Sequence, residues 1–214
     1  MRRILILSVF GVLSLPGGPV LISTATAQPA HVWEIGPITS RGRNYSVGMP
    51  LTPAPAGYGW YFDFPYPHEA AGHVHYVTFQ PGPLIGKSKI VVRYRVNAAW
   101  GTRFVARGTP GQPATVSLYI QRQGDNWSGR GPYEYFRWYA PGSGVQELTP
   151  GVHEMTVSLS GWTSVNGRPN RTAFEDALVA TDRVGLVFGS SSARGHGVFA
   201  TAPARFTLIS FRIL

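Results

Sequence analysis

Residues 89–96 read Lys-Ile-Val-Val-Arg-Tyr-Arg-Val, and this stretch decides the fold class. Its apolar side chains recur at every second position: Ile90, Val92, Tyr94 and Val96. The positions between them are mostly charged: Lys89, Arg93 and Arg95, with Val91 among them. Alternation with a period of two is typical of a strand that has one buried face and one face in water.

The same alternation recurs on both sides of this stretch. It predicts strands at 73–79, 114–122, 133–140, 152–160, 183–188 and 205–213. In the last of these the apolar phase shifts between Leu208 and Phe211, which indicates a bulge or a strand covered on both faces. Pro-Gly pairs at 81–82, 110–111, 141–142 and 150–151 provide the turns that antiparallel connections need.

One short helix is expected at Thr172–Val179, where Thr172 and Glu175 have the spacing of a capping box. Many strands with a single helix predict an all-β protein. We expect an antiparallel two-sheet β-sandwich of jelly-roll type with one short helix.

Composition excludes several other classes. The 214 residues contain 14 % charged and 13 % aromatic side chains, which is unlike a disordered chain. The absence of cysteine excludes disulfides, thiolate zinc sites and a cysteine nucleophile. The net charge of +9 could attract an acidic polysaccharide or another anionic surface, or could reflect a GC-rich genome. No basic cluster suggests nucleic acid as a partner, and no motif indicates a cofactor.

The first 27 residues have the features of a signal peptide. Arg2 and Arg3 precede an apolar run at 4–13, and Ala25-Thr26-Ala27 fits the small-x-small cleavage rule. The run is too short to span a bilayer, although an uncleaved anchor is the alternative. No later stretch reaches membrane-spanning length. We therefore expect a periplasmic or secreted protein without a membrane span.

The remainder divides into two parts. Residues 28–57 are rich in proline and glycine and predict an arm, which Trp33 and Ile35 could pin to the core. Residues 58–214 form the predicted β-sandwich domain.

The outward faces of two predicted neighbouring strands carry the candidate ligand-binding residues. They are Tyr119, Gln121, Tyr133, Tyr135, Arg137 and Tyr139, with Trp127 on the loop between the strands. Aromatic rings stack on the C–H faces of sugars, and planar amide and guanidinium groups bond hydroxyls. This pattern predicts a water-facing sugar site. The alternative is that the rings are covered by the N-terminal arm.

Two further groups of residues are weaker candidates. Trp162, Asn166, Arg168, Arg194 and His196 could rim a pocket. Ordinary turn chemistry explains these loops more simply. The His73-Val-His75 pair has the spacing of a metal motif but lacks a following acid, so a structural role is favoured over a metal site.

Catalysis has little support in the sequence. A Glu-x-Asp-x-x-Glu strand motif and a Gly-x-Ser-x-Gly elbow are both absent. A lyase that uses Tyr135, Arg137 and a nearby histidine stays open. The sequence therefore favours a non-catalytic protein.

Three stretches near the C-terminus carry a family resemblance. Residues 174–178 (Phe-Glu-Asp-Ala-Leu), 183–189 (Arg-Val-Gly-Leu-Val-Phe-Gly) and 204–213 resemble the C-terminal half of galactose-binding-like jelly-roll carbohydrate-binding modules. The resemblance implies a sugar on the concave sheet, where Tyr119, Gln121, Tyr135 and Arg137 would lie, or at loop tips. Such modules often hold structural calcium, but the carboxylates that calcium needs are sparse here.

The combined expectation is an exported, non-catalytic carbohydrate-binding β-sandwich protein whose partner is a polysaccharide or oligosaccharide. The alternatives are a jelly-roll polysaccharide lyase or hydrolase acting on an acidic glycan, and an envelope interaction protein.

Overall fold

The computed structural model of the chain describes residues 27–39 and 42–214. The predicted signal peptide thus lies outside the described residues except for Ala27. The strands are β1 (Glu34–Gly36), β2 (Ala54–Pro55), β3 (Trp60–Asp63), β4 (Tyr76–Phe79), β5 (Lys89–Ala98), β6 (Phe104–Ala106), β7 (Thr115–Arg122), β8 (Arg137–Tyr139), β9 (Val145–Glu147), β10 (Gly151–Ser158), β11 (Thr163–Ser164), β12 (Thr181–Gly189), β13 (Val198–Ala200) and β14 (Ala204–Ile213). The α-helix α1 spans Arg171–Val179.

Two antiparallel sheets form the body of the molecule. The seven-stranded sheet has the order β1-β4-β12-β7-β8-β11, with β9 also paired to β7. The five-stranded sheet has the order β10-β5-β14-β3-β2, and β6 pairs separately with β13. Apart from the pairs β7–β8 and β2–β3, neighbours in the order are not consecutive in sequence, as expected of a sandwich whose connections cross between sheets. The predicted all-β, two-sheet fold with one helix is confirmed.

An aromatic core lies between the sheets. Trp60, Phe62 and Phe206 are buried there, and the rings of Phe62 and Phe206 stack with centroids 5.4 Å apart. Trp33 and Ile35, from the proline-rich leading segment, are buried in the same core. The leading segment therefore contributes both an edge strand, β1, and a large side chain to the sandwich.

The sequence predicted the type of most elements correctly and their limits less reliably. The bulge predicted in the last strand is present, because the pairing of β14 with β5 shifts between Leu208 and Ser210. The N-cap residue of helix α1 differs from the predicted one. The Asn170 side chain accepts a hydrogen bond from the Ala173 amide at 3.1 Å.

The strand predicted at 133–140 is wrong over its first half. Residues Gly131–Tyr135 form a 3₁₀-helix, and only Arg137–Tyr139 are extended. Gly131 has a φ of 56°, and Pro132 follows it at the start of the helix. A left-handed glycine followed by proline, whose φ is fixed near the helical value, turns the chain out of the extended conformation.

None of the helices in the described part of the chain is long and apolar enough to cross a membrane.

Candidate functional site

The site is built on the outer face of the seven-stranded sheet, the face turned away from the other sheet. In β7, Leu118 and Ile120 belong to the core, so Tyr119 and Gln121 lie on the outer face. Register then places Tyr139 opposite Tyr119 and Arg137 opposite Gln121. Four of the predicted residues therefore share one face, as their alternation indicated.

The exposure expected for these residues is wrong. Tyr119 is 1 % exposed and Tyr139 is 7 % exposed, and Gln121 and Arg137 are buried as well. Tyr119 and Tyr139 form a second apolar cluster with Tyr76 and Val187. Trp127 and Val165, from two loops, pack on this cluster and shield it from water.

Tyr133 and Tyr135 lie elsewhere. The 3₁₀-helix places Tyr133 beside Phe136, with ring centroids 5.1 Å apart, and Tyr135 beside Trp138 at the edge of the main core. The structure thus does not bring Tyr133 and Tyr135 to the face that Tyr119 and Tyr139 share. A ligand-binding role for these two rings stays a prediction without a common surface to support it.

The hydroxyl groups of the buried tyrosines are neutral. The Tyr76 and Tyr139 hydroxyls lie 2.9 Å apart and share a hydrogen bond. Burial raises the pKa of Tyr76 and Tyr119 well above the usual tyrosine value, and it also raises the pKa of Tyr139. None of the three is suited to act as a phenolate base near neutral pH. The three rings form an apolar surface beneath the cavities described below, and we call this surface the floor.

Asp125 holds the loop that carries Trp127. It accepts hydrogen bonds from Gln121 Nε2 at 2.9 Å and from the Trp127 amide at 3.0 Å. Arg137 Nε lies 3.1 Å from Asp125 Oδ2, at ion-pair distance but without the angle of a hydrogen bond. Arg137 Nη2 also donates to the Trp127 carbonyl at 2.9 Å, and its guanidinium carbon lies 5.0 Å from the Trp127 ring centroid. This network stabilises Trp127 at an unusual φ of 66°.

Two adjoining cavities open above the floor, and we call them together the outer-face groove. The first has a volume of about 610 Å³ and the second about 710 Å³. Both are lined by Pro37, Tyr45, Tyr76 and Trp127. Tyr45 is exposed and Trp127 is partly exposed, and because each lines both cavities we call these two rings together the aromatic ridge.

The first cavity is bounded by loops distant in sequence, and we call it the basic cavity. Its polar lining includes Arg107, Arg137, Asn166, Arg194 and His196. Asn166, Arg194 and His196 were candidates for a pocket rim and do line one. Trp162 is instead buried in the main core, and Arg168 pairs with Glu134 at 3.1 Å.

The second cavity has mixed charge, and we call it the mixed cavity. Its charged lining residues are Glu34, Arg43, Asp125, Asp182 and Arg183. Gln121 lies here too, so the predicted residues are divided between the two ends of the groove.

Gly195 allows the basic cavity to form. It has a φ of 78°, and a Cβ atom there would lie 2.1 Å from the Tyr76 hydroxyl oxygen. Only glycine permits this loop to pass so close to the floor. The turn chemistry expected of the loop is present and also shapes the cavity.

The hydrogen bonds of the His73–His75 pair indicate a structural role. His75 Nδ1 lies 2.6 Å from the Gly195 carbonyl oxygen, which can only accept, so Nδ1 carries the proton. His75 Nε2 must then accept from His73 Nδ1, which lies 2.7 Å away. Desolvation lowers the pKa of His75 to about 4, so the ring is neutral near pH 7. With both its nitrogens engaged, His75 is not arranged as a metal ligand or as a base.

No group of three or more potential metal-ligating side chains occurs within residues 27–39 and 42–214.

Sequence reasoning missed Tyr45, Tyr76 and Asp125. The one available signal was the stretch Gly124-Asp-Asn-Trp-Ser-Gly129. An Asp in a turn commonly accepts a hydrogen bond from the backbone amide two residues later, which here is the amide of Trp127. Tyr45 and Tyr76 had no such signal, because strand and loop pairing brings them to the groove.

Comparison with known proteins finds similarity among solved structures only. No protein-family model matches the chain, and no curated protein matches it. The chain is similar to a solved non-crystalline cellulose specific carbohydrate-binding module, CBM28. The identity is 12 %, the match covers 95 % of this chain and 99 % of that one, and the TM-score is 0.49.

Proposed function

We propose that this protein is exported and binds a polysaccharide or oligosaccharide in the outer-face groove without chemically altering it. The observation that carries the proposal is the aromatic ridge of Tyr45 and Trp127 between two polar cavities. A pyranose ring presents apolar C–H faces and a rim of hydroxyls. The ridge offers rings for the faces, and the cavities offer amide, hydroxyl and guanidinium groups for the rim.

The dimensions and rigidity of the groove support this assignment. Each cavity falls within the roughly 300–1,000 Å³ typical of small-ligand sites. Trp127 is held by Asp125 and Arg137 before any ligand arrives, so little side-chain freedom is lost on binding. The groove is nevertheless open, and we expect dissociation constants on the order of 10–100 μM.

The buried polar side chains of the groove favour binding over catalysis. The hydroxyls of Tyr76 and Tyr139 are buried and bonded to each other, and both nitrogens of His75 are engaged. The Asp125 carboxylate accepts two hydrogen bonds and lies at ion-pair distance from Arg137. None of these groups is free to take a proton from a bound sugar.

Export is supported by the sequence alone. The positively charged start, the short apolar run and the Ala25-Thr26-Ala27 site favour removal of residues 1–27 and delivery to the periplasm or the exterior.

The experiment that tests the binding proposal compares two tryptophans. Trp127 lies on the ridge, whereas Trp100 is 101 % exposed on the turn between β5 and β6 and lines neither cavity. In affinity gels with a panel of soluble polysaccharides, we expect Trp127→Ala to weaken retention about tenfold, because it removes one stacking surface. Trp100→Ala should leave retention unchanged.

Two results would contradict the proposal. Equal retention of the native protein and Trp127→Ala would mean that the groove is not the binding site. Release of unsaturated uronates from alginate or pectate, followed by absorbance, would show a lyase instead of a binding protein.

A further inference from the structure

The two ends of the outer-face groove differ in charge. The mixed cavity is lined by three carboxylates, Glu34, Asp125 and Asp182, together with two arginines. The basic cavity is lined by three arginines and by no carboxylate. A ligand that extends along the groove would therefore meet a roughly balanced field at one end and a positive field at the other.

Most arginines near the basic cavity already have a partner. Arg137 lies 3.1 Å from Asp125, and Arg107 pairs with Glu69 at 2.6 Å. Arg194 differs from both. All ten Asp and Glu residues of the chain lie in its described part, and none is within ion-pair distance of Arg194.

The position of Arg194 is nonetheless defined. Its Nη1 donates to the Ala140 carbonyl, and its guanidinium carbon lies 5.7 Å from the centroid of the Tyr139 ring. The side chain is partly buried, and desolvation lowers its pKa, but a guanidinium keeps its charge at neutral pH. Arg194 is therefore a fixed, partly desolvated cation that lacks an anionic partner within the chain.

We infer that the basic cavity binds the anionic group of an acidic sugar residue, with Arg194 as its main partner. This inference rests on the proposed glycan-binding function and names the class of glycan. The fork of guanidinium N–H groups suits a uronic acid carboxylate and a sulfate ester alike. Asn166 and the hydroxyls of Ser191 and Ser192 line the same cavity and suit the neighbouring sugar hydroxyls.

The test pairs each acidic polymer with its neutral counterpart. Alginate is compared with carboxyl-reduced alginate, and a sulfated galactan with the same galactan after desulfation, by affinity electrophoresis at fixed ionic strength. We expect one of the acidic polymers to bind about tenfold more tightly than its neutral form, the effect of one partly solvated charge-assisted pair. The polymer that shows the difference identifies carboxylate or sulfate as the anion.

Three variants assign the effect to Arg194. Arg194→Gln can still donate to the Ala140 carbonyl, and it should bind the acidic polymer no better than the neutral one. Arg194→Lys keeps the charge and should keep most of the preference. Arg212→Gln makes the same charge change at an exposed position on the five-stranded sheet and should have no effect. Thermal unfolding of each variant shows whether it is folded.

The outcomes separate the two proposals. Equal losses in Arg194→Gln and Arg212→Gln, or an unchanged preference in Arg194→Gln, would overturn the acidic subsite. Glycan binding would survive in both cases if neutral polymers are still retained and Trp127→Ala still weakens them. Failure of the native protein to retain any polymer would overturn both proposals.

Discussion

Burial should make two aspartate–arginine pairs of this protein very unequal in energy. Asp125 pairs with Arg137 at 3.1 Å, and their side chains are 1 % and 10 % exposed. Asp63 pairs with Arg205 at 2.7 Å, but those side chains are 57 % and 45 % exposed. Distance alone would rank the Asp63 pair as the stronger. We expect the opposite, because water solvates the exposed pair whether or not it forms.

The size of each effect follows from what a truncation leaves behind. Asp125→Ala leaves the Arg137 guanidinium buried without its carboxylate and removes the acceptor of Gln121 and of the Trp127 amide. Loss of one partner from a buried pair costs about 3–5 kcal/mol of unfolding free energy. Asp63→Ala removes a surface pair and should cost at most about 1 kcal/mol.

Urea unfolding followed by tryptophan fluorescence measures both values. The double variant Asp125→Ala/Arg137→Met separates the stranded charge from the lost hydrogen bonds. If the charge dominates, the double variant should be more stable than Asp125→Ala alone. Losses for Asp125→Ala and Asp63→Ala within about 0.5 kcal/mol of each other would refute the reasoning that burial sets the energy of these pairs.

Two further predictions concern acid stability and export. His75 has a pKa of about 4 in the folded protein against a reference value of 6.5. The unfolded chain therefore takes up the proton at higher pH than the folded protein. The unfolding free energy should fall by about 3 kcal/mol as the pH drops from 6.5 towards 4. His75→Gln should flatten that part of the profile in urea unfolding at successive pH values; an identical slope in the variant would assign the pH dependence to other groups. When the full chain is expressed in a bacterium, N-terminal sequencing of the periplasmic or secreted protein should begin at Gln28, and a membrane-bound chain that keeps residues 1–27 would favour the anchor.

Period-two alternation predicted most of the sandwich because it reports directly which side chains face the core. Strand β5 at Lys89–Ala98 and the bulge in β14 followed from the apolar phase alone. Alternation could not predict where β8 begins. Tyr133, Tyr135, Arg137 and Tyr139 alternate well, but β8 pairs with β7 at only three positions, and Pro132 has already turned the chain.

The same reasoning could not predict exposure. Parity correctly placed Tyr119 and Tyr139 on the outer face, but it cannot say whether loops return to cover that face. The groove is lined by residues from widely separated parts of the chain, among them Tyr45, Asn166 and Arg194. Their proximity depends on sheet order, which no local pattern contains. The floor tyrosines are covered, but the covering side chains are Trp127 and Val165 from two later loops and not the N-terminal arm, and Trp127 itself stays partly exposed.

The burial of the floor changes which residues can determine specificity. A sugar cannot stack on Tyr119 or Tyr139, because both rings are buried under other side chains. In the proposed binding mode, Gln121 and Arg137 hold the loop that presents Trp127, Gln121 through Asp125 and Arg137 through the Trp127 carbonyl. Selectivity must then reside in the loop residues above the floor. Substitutions in the floor should change stability and affinity together, whereas substitutions in the loops should change ligand preference while the fold stays intact.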